Sequence, residues 1–132
     1  MAIDSLHHFD ADEFREAGRA AVDWLADYLE HLEKRSVAPD VMPGEVRAAL
    51  PARVPEAPEA FSDLLADVNS LIAPAITHWQ HPGFFGYFPA NSSPPAILAE
   101  LISAGLGVNG MLWSTSPACT ELESHVLDWL VD

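Results

Sequence analysis

The longest regular stretch of the chain is ADEFREAGRAAVDWLADYLEHLE at residues 11–33. Apolar residues recur in it at intervals of three and four, and acidic residues occupy the opposite side, which is typical of an amphipathic α-helix. Asp10 followed by Glu13 resembles a capping box, and Lys34 and Arg35 lie at the end where a helix favours cations. The predicted apolar side consists of Phe14, Ala17, Ala21, Val22, Leu25, Tyr28, Leu29 and Leu32.

Three more helices are predicted downstream of this one. The second covers roughly residues 59–73 and is expected to end at Pro74, because proline cannot continue the hydrogen-bond ladder. The third begins at Pro94-Pro95, since proline fits the first helical turn. The fourth begins near Ser116, which is a good N-cap residue.

Two stretches fit neither a helix nor an alternating strand. Residues 36–58 contain five prolines and predict an extended connector, with room for a helical turn or two at 44–50. Residues 77–93, called the aromatic loop below, combine five aromatic residues with two glycines and two prolines. The predicted fold class is therefore all-α, with four helices, a Pro-rich connector and the aromatic loop. We expect an N-terminal arm with its connector at 1–58 and a second region at 59–132.

Composition excludes several classes of partner and location. The 132 residues carry Lys+Arg 6 against Asp+Glu 20, a net charge of −14, so the chain would repel the phosphates of nucleic acid and of anionic lipid. No apolar run approaches the roughly 20 residues that span a membrane, and the N-terminus does not resemble a signal peptide. The single cysteine, Cys119, fits a reducing compartment. We therefore expect a cytoplasmic chain without nucleic-acid or membrane partners.

Familiar catalytic and metal-binding motifs are weak in this chain. His78 and His81 form an H-x-x-H pair, but they lie in a loop without a cysteine or acid nearby, so no metal site is expected. Cys119 falls on an apolar helical stripe, where a cysteine is usually a small buried hydrophobe rather than a nucleophile. The serines before Pro117 lack a G-x-S-x-G context, and a cap is their simpler role.

The remaining motifs concern glycine-rich and aromatic segments. Residues 105–110 have the spacing G-x-G-x-x-G, but no strand precedes them, so they indicate the end of the third helix. The aromatic loop has two possible roles. Its rings form either a hydrophobic plug between helices or the wall of an apolar pocket for a flat substrate, in which Tyr87 offers a hydroxyl.

Three motifs carry a resemblance to a known family: HWQHPGFFGYFPA at 78–90, SSPPAILAE at 92–100 and WSTSPACTELE at 113–123. With DADEFR, AVDWLADYLE and APDVMPGEVR upstream, they cover nearly the whole chain in order. The chain closely resembles the N-terminal region of the group II pyridoxal-phosphate-dependent decarboxylases, of the aromatic-L-amino-acid decarboxylase type. The resemblance implies a homodimer with the type I, aminotransferase-like fold, in which the pocket is assembled from both chains.

The resemblance also implies a set of substrate-binding residues. Trp79 matches an aromatic wall residue, residues 87–89 match the loop that lines the pocket, and Asn109 and Met111 match residues contributed by the neighbouring subunit. Ala90 stands where aromatic decarboxylases commonly have a threonine, and Met111 where they commonly have a phenylalanine. An aromatic amino acid is the expected substrate. The implied set is Trp79, Tyr87, Phe88, Pro89, Ala90, Asn109 and Met111.

The only lysine, Lys34, lies between Glu33 and Arg35 and does not match the lysine that carries the cofactor in this family. That lysine is expected beyond Asp132, so we expect no catalytic residue in these 132 residues and no stable binding of pyridoxal phosphate to them. The last helix has no stop signal before Asp132, which suggests a longer protein. The alternative is a non-catalytic helical module that associates through exposed apolar stripes.

Overall fold

A computed structural model describes residues 9–88 and 92–131 of the chain. It divides into two compact units, Met1–Pro89 and Ala90–Asp132. Five α-helices and three short 3-10 or π segments occur in the described ranges, and these ranges contain no β-strand. The boundary after residue 58, which separates a predicted arm from the remainder, is a different division of the chain and stays a prediction.

Helix α1 spans Ala11–Glu30. The Asp10 carboxylate accepts hydrogen bonds from the backbone nitrogens of Asp12 (2.8 Å) and Glu13 (2.9 Å), and the Glu13 carboxylate accepts one from the Asp10 nitrogen (2.8 Å). These bonds confirm the predicted capping box, which satisfies donors that a helix N-terminus otherwise leaves unpaired. After His31 the chain forms a 3-10 turn at Leu32–Lys34.

The proline-rich connector contains one short helix, α2, at Glu45–Ala49. The Glu45 carboxylate accepts a hydrogen bond from the Met42 nitrogen at 2.8 Å, and Gly44 precedes the helix with a φ of 99°. This helix confirms the turn or two predicted at 44–50. The residues on either side of it, 35–44 and 50–60, have no regular secondary structure.

Helix α3 spans Phe61–Asp67 and continues as a π segment at Val68–Ile72 and a 3-10 turn at Ala73–Ala75. The predicted helix over 59–73 is therefore shorter at its start and irregular in its second half. Pro74 does not end the helical path, because it takes the second position of a new 3-10 turn, where its missing N–H costs no hydrogen bond.

The second unit contains α4 at Pro94–Leu106 and α5 at Pro117–Val131. The Ser93 hydroxyl accepts a hydrogen bond from the Ala96 nitrogen at 3.4 Å and caps α4. Gly107 ends that helix with a φ of 59°, a left-handed conformation that favours glycine. The G-x-G-x-x-G spacing therefore falls at a helix end, as the sequence predicts.

Few apolar side chains are withdrawn from water. Within residues 9–88 and 92–131, the buried apolar residues are Ala17, Leu32 and Ala73. Large apolar side chains of α4 and α5 are exposed, among them Leu101, Ile102, Leu106, Leu122, Trp129 and Leu130. None of the described helices is both long and apolar enough to cross a membrane.

Candidate functional site

The aromatic loop is attached to the first unit through His78, which is only 4% exposed. Its backbone nitrogen donates to the Val37 carbonyl at 2.9 Å, and its carbonyl accepts from the His81 nitrogen at 3.0 Å. The Nδ1 atom of its imidazole shares a hydrogen bond of 2.7 Å with the Tyr28 hydroxyl. These three contacts fix the start of the loop, as expected for a buried polar side chain that needs partners.

Tyr28 is itself held on both sides. Its ring is stacked on Trp24 with centroids 5.5 Å apart and an interplanar angle of 13°. The Arg35 guanidinium carbon lies 5.1 Å from the ring centre, within the range of a cation–π contact. The Trp24 indole nitrogen donates to the Asn69 side-chain oxygen at 3.4 Å. The cluster therefore joins α1 to the segment after α3 and to the aromatic loop.

Electrostatics favour the neutral forms of both hydrogen-bonded groups. Burial raises the pKa of the Tyr28 phenol, and the nearby Arg35 charge opposes that rise. Burial lowers the pKa of the His78 imidazole, and the charges of Arg35 and His81 lower it further. At neutral pH the pair is therefore an uncharged phenol against an uncharged imidazole.

The second histidine of the H-x-x-H pair stabilises a turn. Its Nδ1 accepts a hydrogen bond from the Gly83 nitrogen at 2.8 Å, and its Nε2 lies 3.4 Å from the Glu33 carbonyl oxygen. A Cβ at Gly83 would lie only 3.1 Å from His81 Nδ1, so a larger residue there would require the imidazole to shift by a few tenths of an ångström. Across the described part of the chain, no group of three or more His, Cys, Asp or Glu side chains is arranged to hold a metal ion.

The aromatic loop presents its outer rings to solvent. Trp79 contacts Phe84 at 5.1 Å between centroids and is stacked against Tyr87 at 5.6 Å with an interplanar angle of 22°. Phe85, Tyr87 and Phe88 are 94%, 84% and 100% exposed. Tyr87 has a φ of 52°, a left-handed conformation that is unusual for a residue other than glycine. These three outer rings are therefore not buried among the described residues.

The other sequence-predicted site residues have different surroundings. Asn109 lies in the loop between α4 and α5, where its side-chain oxygen accepts from the Met111 nitrogen at 3.0 Å. Its carbonyl accepts from the Thr115 hydroxyl at 2.9 Å, and the Met111 side chain is 80% exposed. Pro89 and Ala90 lie outside the described residues. The structure therefore brings Trp79 and Tyr87 together, and it orders Asn109 within its own loop.

The sequence does not reveal the Tyr28, Arg35 and His78 cluster. Tyr28 looks like one more residue of the apolar stripe, and His78 is notable only as half of an H-x-x-H pair. Lys34 is exposed at the end of the 3-10 turn that follows α1. A lysine that anchors a carbonyl cofactor lies in a buried site, so the exposed Lys34 does not fit that role.

Comparison with known proteins identifies the family. The family described as "Pyridoxal-dependent decarboxylase conserved domain" matches residues 43–132. Aromatic-L-amino-acid decarboxylase of Sus scrofa is 50% identical over 121 residues, which cover 92% of this chain and 25% of that protein. The 3,4-dihydroxyphenylacetaldehyde synthase of Drosophila melanogaster is also 50% identical over 121 residues, covering 92% of this chain and 24% of that protein.

Solved structures agree with the sequence matches. The crystal structure of Catharanthus roseus tryptophan decarboxylase in complex with L-tryptophan is similar with a TM-score of 0.87 and 39% identity, over 95% of this chain and 27% of that one. The structure of Rhodiola rosea 4-hydroxyphenylacetaldehyde synthase gives a TM-score of 0.88 and 44% identity, over 94% and 27%. The chain spans about a quarter of the length of these relatives, and its all-helical fold corresponds to the N-terminal part of theirs. The chain belongs to the pyridoxal-dependent decarboxylase family.

Proposed function

We propose that this chain is the N-terminal segment of a pyridoxal-phosphate-dependent decarboxylase that converts an aromatic L-amino acid into an amine and CO₂. The observation that carries the proposal is the aromatic loop, in which Trp79 is stacked against Tyr87 and the outer rings are exposed. The sequence match to aromatic-L-amino-acid decarboxylases and the likeness to a tryptophan decarboxylase that holds L-tryptophan support an aromatic substrate. The single cysteine supports a cytoplasmic location.

In this proposal the residues of the segment bind and orient the substrate. Trp79, Tyr87 and Phe88 supply flat apolar surface for an aromatic ring, and the family resemblance adds Pro89 and Ala90 to the substrate-binding set. Asn109 and Met111 contribute to the pocket of a neighbouring subunit in a homodimer. Because the Asn109 oxygen already accepts the Met111 nitrogen, the amide nitrogen of Asn109 is the group that remains to donate to a substrate.

The cofactor is held elsewhere in the proposed protein. Pyridoxal phosphate, when bound, acts as the electron sink for loss of the α-carboxylate. Lys34 does not fit the covalent anchor, so we place the anchoring lysine beyond Asp132 and expect the segment to be inactive alone. The part of these residues in the proposed protein is to shape the pocket and exclude water.

A second candidate is a non-catalytic helical module that associates with copies of itself. The exposed apolar side chains of α4 and α5 favour it. The two candidates are compatible, because apolar surface that a dimer of the longer enzyme would bury is exposed when the segment is isolated. The two candidates differ in whether the longer protein releases CO₂.

The deciding experiment uses the complete protein that contains this chain. It is purified with pyridoxal phosphate and assayed with aromatic, aliphatic and acidic L-amino acids, with CO₂, amine and aldehyde each measured. We expect CO₂ and the matching amine from aromatic substrates. Aldehyde in place of amine would assign the activity named for the synthase relatives, and absence of CO₂ from every amino acid would overturn the proposal.

A companion measurement tests the 132 residues alone. After incubation with pyridoxal phosphate and dialysis, we expect the chain to retain no absorbance from the cofactor. A stable absorbance band that disappears in Lys34→Ala would contradict this expectation, because it would make the chain's only lysine the anchor.

A further inference from the structure

We propose that Tyr28 is a positioning residue for the substrate wall, acting through its hydrogen bond to His78 on the neighbouring Trp79. This inference rests on the proposed function, because it assigns Trp79 to the wall of a substrate pocket. The observation that carries it is the 2.7 Å contact between the Tyr28 hydroxyl and His78 Nδ1, which joins residues fifty positions apart.

Trp79 has little freedom to move independently of His78. His78 precedes it directly and is held by its side chain, its backbone nitrogen and its carbonyl oxygen. The Trp79 ring in turn contacts Phe84 and Tyr87. A shift of His78 therefore moves the backbone of Trp79 and disturbs its stacking on Tyr87.

Tyr28 is held rigidly on α1. Its ring is stacked on Trp24 and lies beneath the Arg35 guanidinium, so its hydroxyl has little freedom to follow the loop. Helix α1 consequently provides a fixed reference point for a loop whose outer rings are largely exposed to solvent. Replacing Tyr28 with phenylalanine removes only the hydroxyl and leaves both ring contacts in place.

If the hydrogen bond between Tyr28 and His78 only stabilised the fold, its loss would have a different effect from the loss of a positioning contact. Its loss would lower the stability of the protein without a selective effect on substrate binding. A positioning contact affects the ground-state fit of the aromatic ring, so its loss raises KM and leaves kcat nearly unchanged. His78 offers a conservative variant, because the side-chain amide of asparagine can accept or donate close to the position of Nδ1.

The experiment uses the complete protein with bound pyridoxal phosphate and an aromatic L-amino acid that the wild type consumes. For Tyr28→Phe we expect KM to rise about fivefold, the effect of losing one hydrogen bond, with kcat within about twofold. His78→Leu should match it, and Tyr28→Phe with His78→Leu should be no worse than either alone. His78→Asn should restore most of the binding.

Ser124→Ala is the matched control, since it removes a hydroxyl that donates to the Thr120 carbonyl on α5, and its KM should equal that of the wild type. Unchanged KM in Tyr28→Phe, or additive losses in the double variant, would overturn the proposal.

A spectroscopic readout separates this proposal from the proposed function. The near-ultraviolet circular dichroism of the wild type minus that of Trp79→Phe reports the environment of Trp79 without any turnover. We expect this difference to shrink in the Tyr28→Phe background and to persist in Ser124→Ala. A difference that is unchanged by Tyr28→Phe would refute positioning, whereas lack of turnover by the wild type alone would refute only the proposed activity.

Discussion

At the scale of single residues, His78 has a special setting because it is buried among groups that disfavour its charged form. Its hydrogen-bond partner is the Tyr28 phenol, and the other charged or titratable groups around it are Arg35 and His81. Burial and these two charges all lower the pKa of His78. Protonation of this imidazole is therefore opposed by burial and by positive charge together.

The lowered pKa of His78 makes folding stability depend on pH. Above the ordinary histidine pKa of about 6.5 the imidazole is neutral in both the folded and unfolded states. As the pH falls from there toward the lower folded-state pKa, only the unfolded chain takes up the proton, so the free energy of unfolding decreases. We expect the wild type to lose more stability between pH 7.5 and 5.5 than His78→Asn. Urea unfolding followed by tryptophan fluorescence checks this, and equal losses would contradict it.

Within the proposed function, Met111 is the residue at which we expect a substitution to change substrate preference. It stands where the resemblance implies a phenylalanine, and its side chain is 80% exposed. An aromatic pair contributes about 0.5–1.5 kcal/mol beyond burial, so Met111→Phe should raise kcat/KM for aromatic over aliphatic amino acids by several-fold. Leu112→Phe, at the next exposed position, is the control and should leave the ratio unchanged. A ratio that moves equally in both variants would argue against a pocket role for Met111.

At the scale of elements, the local pattern determines most helices and fails where the backbone hydrogen bonding changes type. Capping residues and apolar spacing predict α1, α4 and α5 close to their observed bounds. The helix predicted over 59–73 instead passes from α to π to 3-10 geometry. These helix types share similar side-chain spacing over a few residues, so periodicity does not distinguish them.

The capping box of α1 should be measurable as a stability contribution. Asp10→Ala removes the acceptor for the Asp12 and Glu13 nitrogens and should lower the free energy of unfolding by about 1 kcal/mol. Asp23→Ala removes the same charge from the interior of the same helix and should change stability by less than about 0.5 kcal/mol. Urea unfolding followed by helical circular dichroism compares the two, and equal effects would show that charge rather than capping is responsible.

At the scale of the whole molecule, the described residues leave much apolar surface open to solvent. Leu122, Trp129 and Leu130 on α5 are 65%, 65% and 78% exposed. Monomeric proteins rarely expose large contiguous apolar patches, so such surface marks an interface with another chain or with more of the same chain. Either kind of interface is consistent with a chain that spans about a quarter of the length of its relatives.

This exposure predicts that the 132-residue chain associates with itself when prepared alone. Light scattering should give a mass above that of the 14.3 kDa monomer, and Leu122→Ser with Leu130→Ser should move the mass back toward it. Glu123→Ser is the control, because it changes an exposed position on the same helix without removing apolar surface. A monodisperse monomer for the unaltered chain would contradict the prediction.

The sequence by itself determined α1 with its capping box, the starts of α4 and α5, the family and the single lysine, because each depends on neighbouring residues or on ordered motifs. Only the tertiary structure decided that Tyr28 meets His78, that Trp79 is stacked on Tyr87 and that the outer rings of the aromatic loop face solvent. The contact between Tyr28 and His78 depends on the path of a proline-rich connector that has no periodic pattern. Each helix depends on interactions between residues that are close in sequence. The contact between Tyr28 and His78 depends instead on how the fifty residues that separate them pack.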